Sequence, residues 1–242
     1  MCGRFGQKAS SAELAAAFEA AWRCEEPRLP RFNIAPTQDV PVLLRHDGAR
    51  VLDQLRWGLI PSWAKDASIG NKMINARAES VLENKPAFRA AFQRRRCLVP
   101  ASGFYEWKKI GKTKVPQWIH SADGAPLTLA GLWETWRPQK DAEPVLTFTI
   151  ITTTPNADVA GIHDRMPVIV APADRDTWLD AETPSADLAA LLRPAPDGLL
   201  LHHAVSTAVN RPTFDGPELI LPDAPVEPVG RIEPEGDLFA GV

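Results

Sequence analysis

The sequence predicts an α+β fold: one compact domain of mainly antiparallel strands, closed as a barrel or packed as a sandwiched sheet, with flanking helices. Three observations carry this expectation. From residue 97 onward, short β-branched and aromatic runs follow one another with turn residues between them. The helical segments do not alternate with strands as a doubly wound fold requires. The 242 residues, 45% apolar and 24% charged, suffice for one substantial core and contain no repeat, low-complexity tract or clean linker. The domain is expected over residues 1–222, followed by a Pro- and Gly-containing tail over 223–242.

The elements follow in order. Residues 10–22 read as an amphipathic helix, with Ser10 and Glu13 as a capping box and Leu14, Phe18 and Trp22 at helical spacing. Residues 23–39 read as an irregular connection. Val40–Arg45 and Arg50–Trp57 flank Asp47-Gly48, a hairpin signal. Residues 58–74 read as a loop, and 76–95 as helix interrupted near Pro86. Strands are expected at Cys97–Pro100, Phe104–Lys109, Pro116–His120, Leu127–Trp133, Val145–Thr153, Val168–Val170 and Leu199–Val205. Two helices fit around 173–180 and 185–193, the second capped by Ser185.

Composition narrows the functional classes. Cys2, Cys24 and Cys97 form no CxxC pair and no disulfide framework, which suits a reducing compartment. No apolar run reaches the roughly 20 residues of a membrane span, and the N-terminus lacks signal-peptide regions. The expectation is a cytoplasmic, nucleoid-associated monomer with no membrane association. The net charge of −3 conceals an asymmetry. Residues 1–120 hold 20 Lys/Arg against 11 Asp/Glu, whereas 121–242 hold 7 against 19. The basic half can build a local cationic face, or the charges can mix when the halves fold together. His46, His120, His163, His202 and His203 show no metal-ligand spacing, so no metal is expected. Neither a P-loop nor a GxGxxG appears, so no nucleotide cofactor is expected.

Cys2 is the most informative residue. If Met1 is removed, one residue carries an α-amine and a thiol on adjacent carbons. An α-amine has a pKa near 8, against about 10.4 for Lys, so a useful fraction is neutral at pH 7. The thiolate is the stronger nucleophile, and Arg4 is close enough in sequence to lower its pKa. Together, amine and thiol can close a five-membered ring on an aldehyde. Three further segments concentrate polar groups beside apolar ones: Asn75-Ala76-Arg77-Ala78-Glu79, Gly103-Phe104-Tyr105-Glu106-Trp107 and His163-Asp164-Arg165-Met166-Pro167. Glu106, among aromatics, is the acid/base candidate if desolvation raises its pKa, although strand alternation turns it away from the face of Tyr105 and Trp107. His163 is a second proton carrier. Asn75 can donate and accept hydrogen bonds at once. Arg4 and Arg77 suit phosphate, Arg94-Arg95-Arg96 reads as a solvated helix end, and Trp57, Trp63, Phe104 and Trp107 are candidate stacking surfaces for unpaired bases.

Together with Trp57-Gly58 and Val205-Ser206 before Val209-Asn210, these pieces resemble, in order and spacing, the SOS-response-associated peptidase (SRAP) family. The resemblance implies a sensor of abasic sites in single-stranded DNA. In that family the N-terminal Cys, freed of Met, reacts with the ring-opened sugar. The amine forms a Schiff base and the thiol closes a thiazolidine, a covalent crosslink that shields the lesion from strand cleavage. Carried over, Cys2 is the nucleophile, Asn75 orients the reacting groups, Glu106 moves protons, and His163 assists ring opening and reversal. Arg4 and Arg77 grip phosphates, and Thr152 and Ser206 sit where the family has further DNA-backbone contacts. The same residues could release Met1 autocatalytically; general proteolysis is not expected. Two other readings compete. Met-Cys-Gly also resembles glutamine amidotransferases with an N-terminal Cys, though the later motifs do not fit. A non-catalytic single-strand binding module would use the basic and aromatic residues alone.

Overall fold

The computed structural model describes residues 2–24 and 30–223. In chain order the elements are β1 (Phe5–Gln7), α1 (Ser11–Phe18), β2 (Ala21–Trp22), β3 (Arg31–Ile34), β4 (Asp39–His46), β5 (Ala49–Trp57), β6 (Asn75–Arg77), α2 (Ala78–Leu82), α3 (Pro86–Arg94), β7 (Arg96–Ala101), β8 (Gly103–Ile110), β9 (Thr113–Ser121), β10 (Leu127–Trp136), β11 (Val145–Thr153), α4 (Ala157–Ala160), β12 (Met166–Pro167), α5 (Arg175–Leu179), α6 (Ser185–Leu191) and β13 (Leu200–Ala204). Short 3-10 turns cover Ala67–Lys72, Pro172–Asp174, Thr207–Asn210 and Pro217–Ile220.

The predicted α+β class holds, and the sheet closes. Strands β11, β10, β7, β4 and β5 pair antiparallel in that order, and a parallel pairing of Arg56 and Trp57 with Thr147 and Phe148 joins β5 back to β11. Closure leaves a five-stranded barrel without free edges along that circuit. Strand β11 then continues past β5 and pairs parallel with β6, Ile150 opposite Asn75 and Thr152 opposite Arg77. A second sheet, in the order β13-β9-β8-β1-β3, lies beside the barrel.

Local chemistry explains several boundaries. Ser10 and Glu13 form the expected capping box, but Glu19 turns left-handed (φ 49°) and ends α1 at Phe18. Ala21 and Trp22 instead pair with β5, so the helix is shorter than its periodicity suggested. Asp47 (φ 48°) and Gly48 (φ 79°) make the tight turn of the β4–β5 hairpin. Gly58 (φ 123°) packs against Gly70 so closely that a Cβ there would lie 2.6 Å from the Gly70 carbonyl oxygen. This contact, with the Trp57 indole donating to Ile74 O at 2.9 Å, draws the 58–74 loop onto the barrel and delivers β6 to its place.

Other expectations need correction. The segment 76–95 starts as strand and divides into two helices, because Pro86 begins a new one. Arg31–Ile34 is a strand, and residues 25–29 of that connection lie outside the described residues. Val168–Val170 is not a strand; Met166–Pro167 is, and Ile169 makes a single bridge to Leu129. Pro184, not Ser185, stands at the cap of α6, with no side-chain cap bond. The tail beyond residue 223 lies outside the described residues. Among the described residues no helix is long and apolar enough to cross a membrane.

The Arg94-Arg95-Arg96 run is not simply a solvated end. Arg95 pairs with Glu134 at 2.7 Å. Arg96 is buried and donates to the carbonyls of Phe92, Gln93, Trp178 and Asp180, pinning the ends of α3 and α5 together. Arg96→Met orphans these acceptors. A loss of about 3 kcal/mol is expected, read as a melting point about 10 °C lower by calorimetry.

Candidate active site

The chain start enters the second sheet through β1. Phe5 pairs with Phe104 and Gly6 with Gly103, and the Tyr105 amide donates to Arg4 O at 2.9 Å. This antiparallel run brings Cys2 within the electrostatic reach of Glu106. Cys2 is completely buried, in a core cluster with Phe5, Trp57, Phe104 and Phe148. From β6, the Asn75 carboxamide donates to Cys2 O at 2.8 Å. From the turn after α4, His163 brings Nε2 to 4.0 Å from Glu106 Oε2. The structure therefore gathers Cys2, Asn75, Glu106 and His163 from four separate stretches of chain.

Of these groups, Glu106 and His163 line an open cleft of about 610 Å³, together with Arg77, Trp107, Lys114, Asp164 and Arg165, while Cys2 lies buried behind it. Arg77 and Lys114 present basic groups to this cleft beside the acidic Glu106 and Asp164, and such basic groups can meet an anionic ligand. Arg165 is the residue that motif reading left without a role. Its guanidinium forms a bidentate pair with Glu79 at 2.8 and 2.9 Å and also donates to Thr152 O. The pair ties the His163 loop to the start of α2, and so to β6. Glu79 and Arg165 both stood in the motifs quoted from sequence, but only the β6–β11 pairing brings them together.

Burial sets the proton chemistry. Only 3% of Glu106 is exposed, and desolvation foremost raises its carboxyl from the ordinary 4.5 to about 7. Both protonation states are then populated near neutrality. Burial, ahead of nearby charge, lowers the His163 pKa, so the ring is neutral at pH 7. Nδ1 lies 3.0 Å from the Arg165 amide and 2.7 Å from Asp164 Oδ1, and Nε2 is the ring nitrogen that faces Glu106.

The thiol behaves differently from the sequence-based expectation. Burial, and next the Glu106 charge, push the Cys2 thiol well above its usual range. The Arg4 guanidinium does not counter this. It donates to Asn33 Oδ1 at 2.7 Å and to Val209 O at 2.8 Å, and Arg4 acts on the thiol only through its backbone N–H. Cys2 in this state is a protonated thiol and not a ready thiolate.

The remaining candidates are dispersed. Arg77 is exposed at the cleft. Arg4 is half-buried and committed to the clasp with Asn33 and Val209. Thr152 is buried on β11 with its hydroxyl shut away from solvent, so the structure offers that hydroxyl no direct contact with a DNA backbone. Ser206 accepts the Ala208 amide and caps the 207–210 turn. Trp63 is 60% exposed in a separate depression with Lys65 and Lys72. Trp57 and Phe104, considered as stacking surfaces, are buried core residues.

The family model described as "SOS response associated peptidase (SRAP)" matches residues 1–212. The chain belongs to the SRAP family. It is 41% identical over 223 residues to the abasic site processing protein YoqW of Bacillus subtilis, covering 91% of this chain and 99% of that one. It is 34% identical over 263 residues to the abasic site processing protein HMCES of Gallus gallus, covering 92% and 78%. A crystal structure of a protein from Bacteroides thetaiotaomicron superposes with a TM-score of 0.84 at 25% identity, covering 92% of this chain and all of that one. The SRAP motifs recognised in sequence thus lie within one matched domain whose barrel, second sheet and cleft are described above.

Proposed function

We propose that this SRAP chain captures abasic sites in single-stranded DNA as a covalent thiazolidine on Cys2, once Met1 has been removed. The observation that carries this is the convergence of Cys2 with Asn75 and of Glu106 with His163, the latter two lining an open cleft that also presents Arg77 and Lys114. The names of the YoqW and HMCES relatives support the abasic-site class.

The steps balance with these residues alone. His163 and Glu106 relay a proton from the sugar's C1 hydroxyl to the ring oxygen as it opens to the aldehyde. The Cys2 amine adds to the carbonyl carbon, giving a carbinolamine. Protonated Glu106 donates to the departing hydroxyl, and one water leaves as the imine forms. The Cys2 thiol then adds to the imine carbon. Its proton passes by way of Glu106 to the imine nitrogen, closing the five-membered ring. A carboxyl at about 7 suits both the donation and the acceptance. A thiol held protonated lets the amine attack first, which sets the order of events. Ring closure removes the imine that would otherwise serve as the electron sink for β-elimination of the 3′ phosphate.

Asn75, held on the Cys2 carbonyl, orients the residue that carries both nucleophiles. Its Oδ1 is buried and has no hydrogen-bond partner among the described residues, so it is available to the amine or the reacting hydroxyl. The test is intact mass analysis of Met-free protein incubated with single-stranded abasic oligonucleotide. The expected product equals protein plus oligonucleotide less one water, survives heating and maps to Cys2. The same adduct from protein that retains Met1, or an adduct mapping to a lysine, overturns the reading.

A further inference from the structure

Beyond residue 105, β8 loses one neighbour. Strand β1 pairs with it only at Gly103 and Phe104, and β13 pairs with β9 only from Gln117 onward, so among the described residues the outer β8–β9 hairpin has both edges unpaired. The outer hairpin reads Lys108-Lys109-Ile110-Gly111-Lys112-Thr113-Lys114, four lysines and no carboxylate. Lys109 stands directly opposite Lys114 in register, an arrangement in which like charges destabilise the strand pair. Among the described residues none of the four is held in an ion pair. Lys114 also lines the cleft that ends at Glu106. Lysines on a bare strand edge discourage edge-to-edge association, and that role alone would account for some of them. It does not require a like-charge pair, nor a position continuous with the cleft. Both features follow if a polyanion supplies the missing countercharge.

We propose that the β8–β9 hairpin is a basic arm that grips the phosphates of the nucleic-acid strand where it leaves the cleft. The proposal rests on the abasic-DNA reading above and extends it to a binding element outside the reacting residues. Phosphates of a single strand and of a duplex flank share this chemistry, and the two arms of the experiment separate them.

The probe is an oligonucleotide with a tetrahydrofuran in place of the abasic sugar, which has no aldehyde and cannot form the adduct. Its affinity is measured over a range of salt for the wild type, for Lys109→Gln with Lys112→Gln, and for Lys109→Arg with Lys112→Arg. One arm keeps the flank single-stranded and the other anneals it. The Gln pair is expected to lower the salt slope by about 1.4 on a single strand or about 1.8 on a duplex flank. On the single strand its binding deficit then narrows about sevenfold between about 50 and 200 mM salt. The Arg pair is expected to keep the wild-type slope, since it keeps the charge. The arm whose slope falls by its own expected amount identifies the backbone that is held. Unchanged slopes in both arms, with an unchanged melting point, overturn the proposal while wild-type binding still supports the functional reading. Failure of the wild type to bind either probe removes both.

Discussion

Cys2→Ala is expected to abolish the heat-stable adduct and to leave non-covalent binding of single-stranded DNA within a few-fold of wild type. The variant keeps the terminal amine and loses the sulfur, so capture stops at the imine. Borohydride should still trap that imine, and without trapping the strand should break at the lesion through β-elimination. The cost to the fold is small. Replacing one buried thiol in the cluster with Phe5, Trp57 and Phe148 removes a single heavy atom, about 1 kcal/mol of packing. A heat-stable, unreduced adduct from Cys2→Ala would exclude Cys2 as the ring-closing nucleophile. Loss of binding as well as of the adduct would favour a role for Cys2 in holding DNA over a role in chemistry.

Glu106→Gln is expected to move activity and stability in opposite directions. The side chain keeps its shape and loses its proton exchange, so the adduct should form about 100-fold more slowly at pH 7, while binding changes little. The wild-type rate should also show an ionisation near pH 7 that the variant lacks. Stability follows from the direction of the shift. The folded state holds the Glu106 proton more tightly than the unfolded chain does. The carboxyl therefore costs nothing well below pH 4.5, costs progressively more as pH rises to about 7, and has a constant cost above that. Removing the charge should stabilise the fold at pH 8 by at most about 3 kcal/mol, and the gain should vanish towards pH 4. Melting curves at the two pH values check this. A Glu106→Gln protein destabilised at pH 8 would mean that the carboxylate is a structural ion-pair member and not a desolvated acid.

Local chemistry made much of the fold legible. The β-branched run Val145–Thr153 is a strand with those bounds, the Asp47-Gly48 turn joins the predicted hairpin, and the Ser10–Glu13 box opens α1. What sequence did not reveal depends on distant partners. Barrel closure rests on two parallel pairs between β5 and β11, about 90 residues apart, which leave no periodic trace. Arg96 reads as the end of a charged run until α5 arrives to surround it. The site divides in the same way. Strand alternation correctly set Glu106 apart from Tyr105, but it does not tell which of the two faces is covered. Both faces are covered: Tyr105 packs with Trp118, Val205, Val209 and Leu219, while Glu106 lies on the side of Phe104 and the chain start. The burial that raises the carboxyl pKa comes from the start of the chain and from the packed core, and no window around residue 106 contains that information. The opposite error occurred at Arg4. Its nearness to Cys2 in sequence suggested an electrostatic partner, yet its guanidinium reaches across to Asn33 and Val209.

The Arg4 clasp has a consequence for biosynthesis. Residues 2–7 precede in synthesis β8 and Val209, which complete their niche and are translated long afterwards. Throughout that interval the leading residues have β3 and Asn33 to meet but lack the strand and the carbonyl that complete their niche. On the proposed function, removal of Met1 falls most readily in that interval, before Cys2 is buried. Slow trimming relative to elongation would yield a mixed population, and a purification tag is better fused behind the domain than ahead of it.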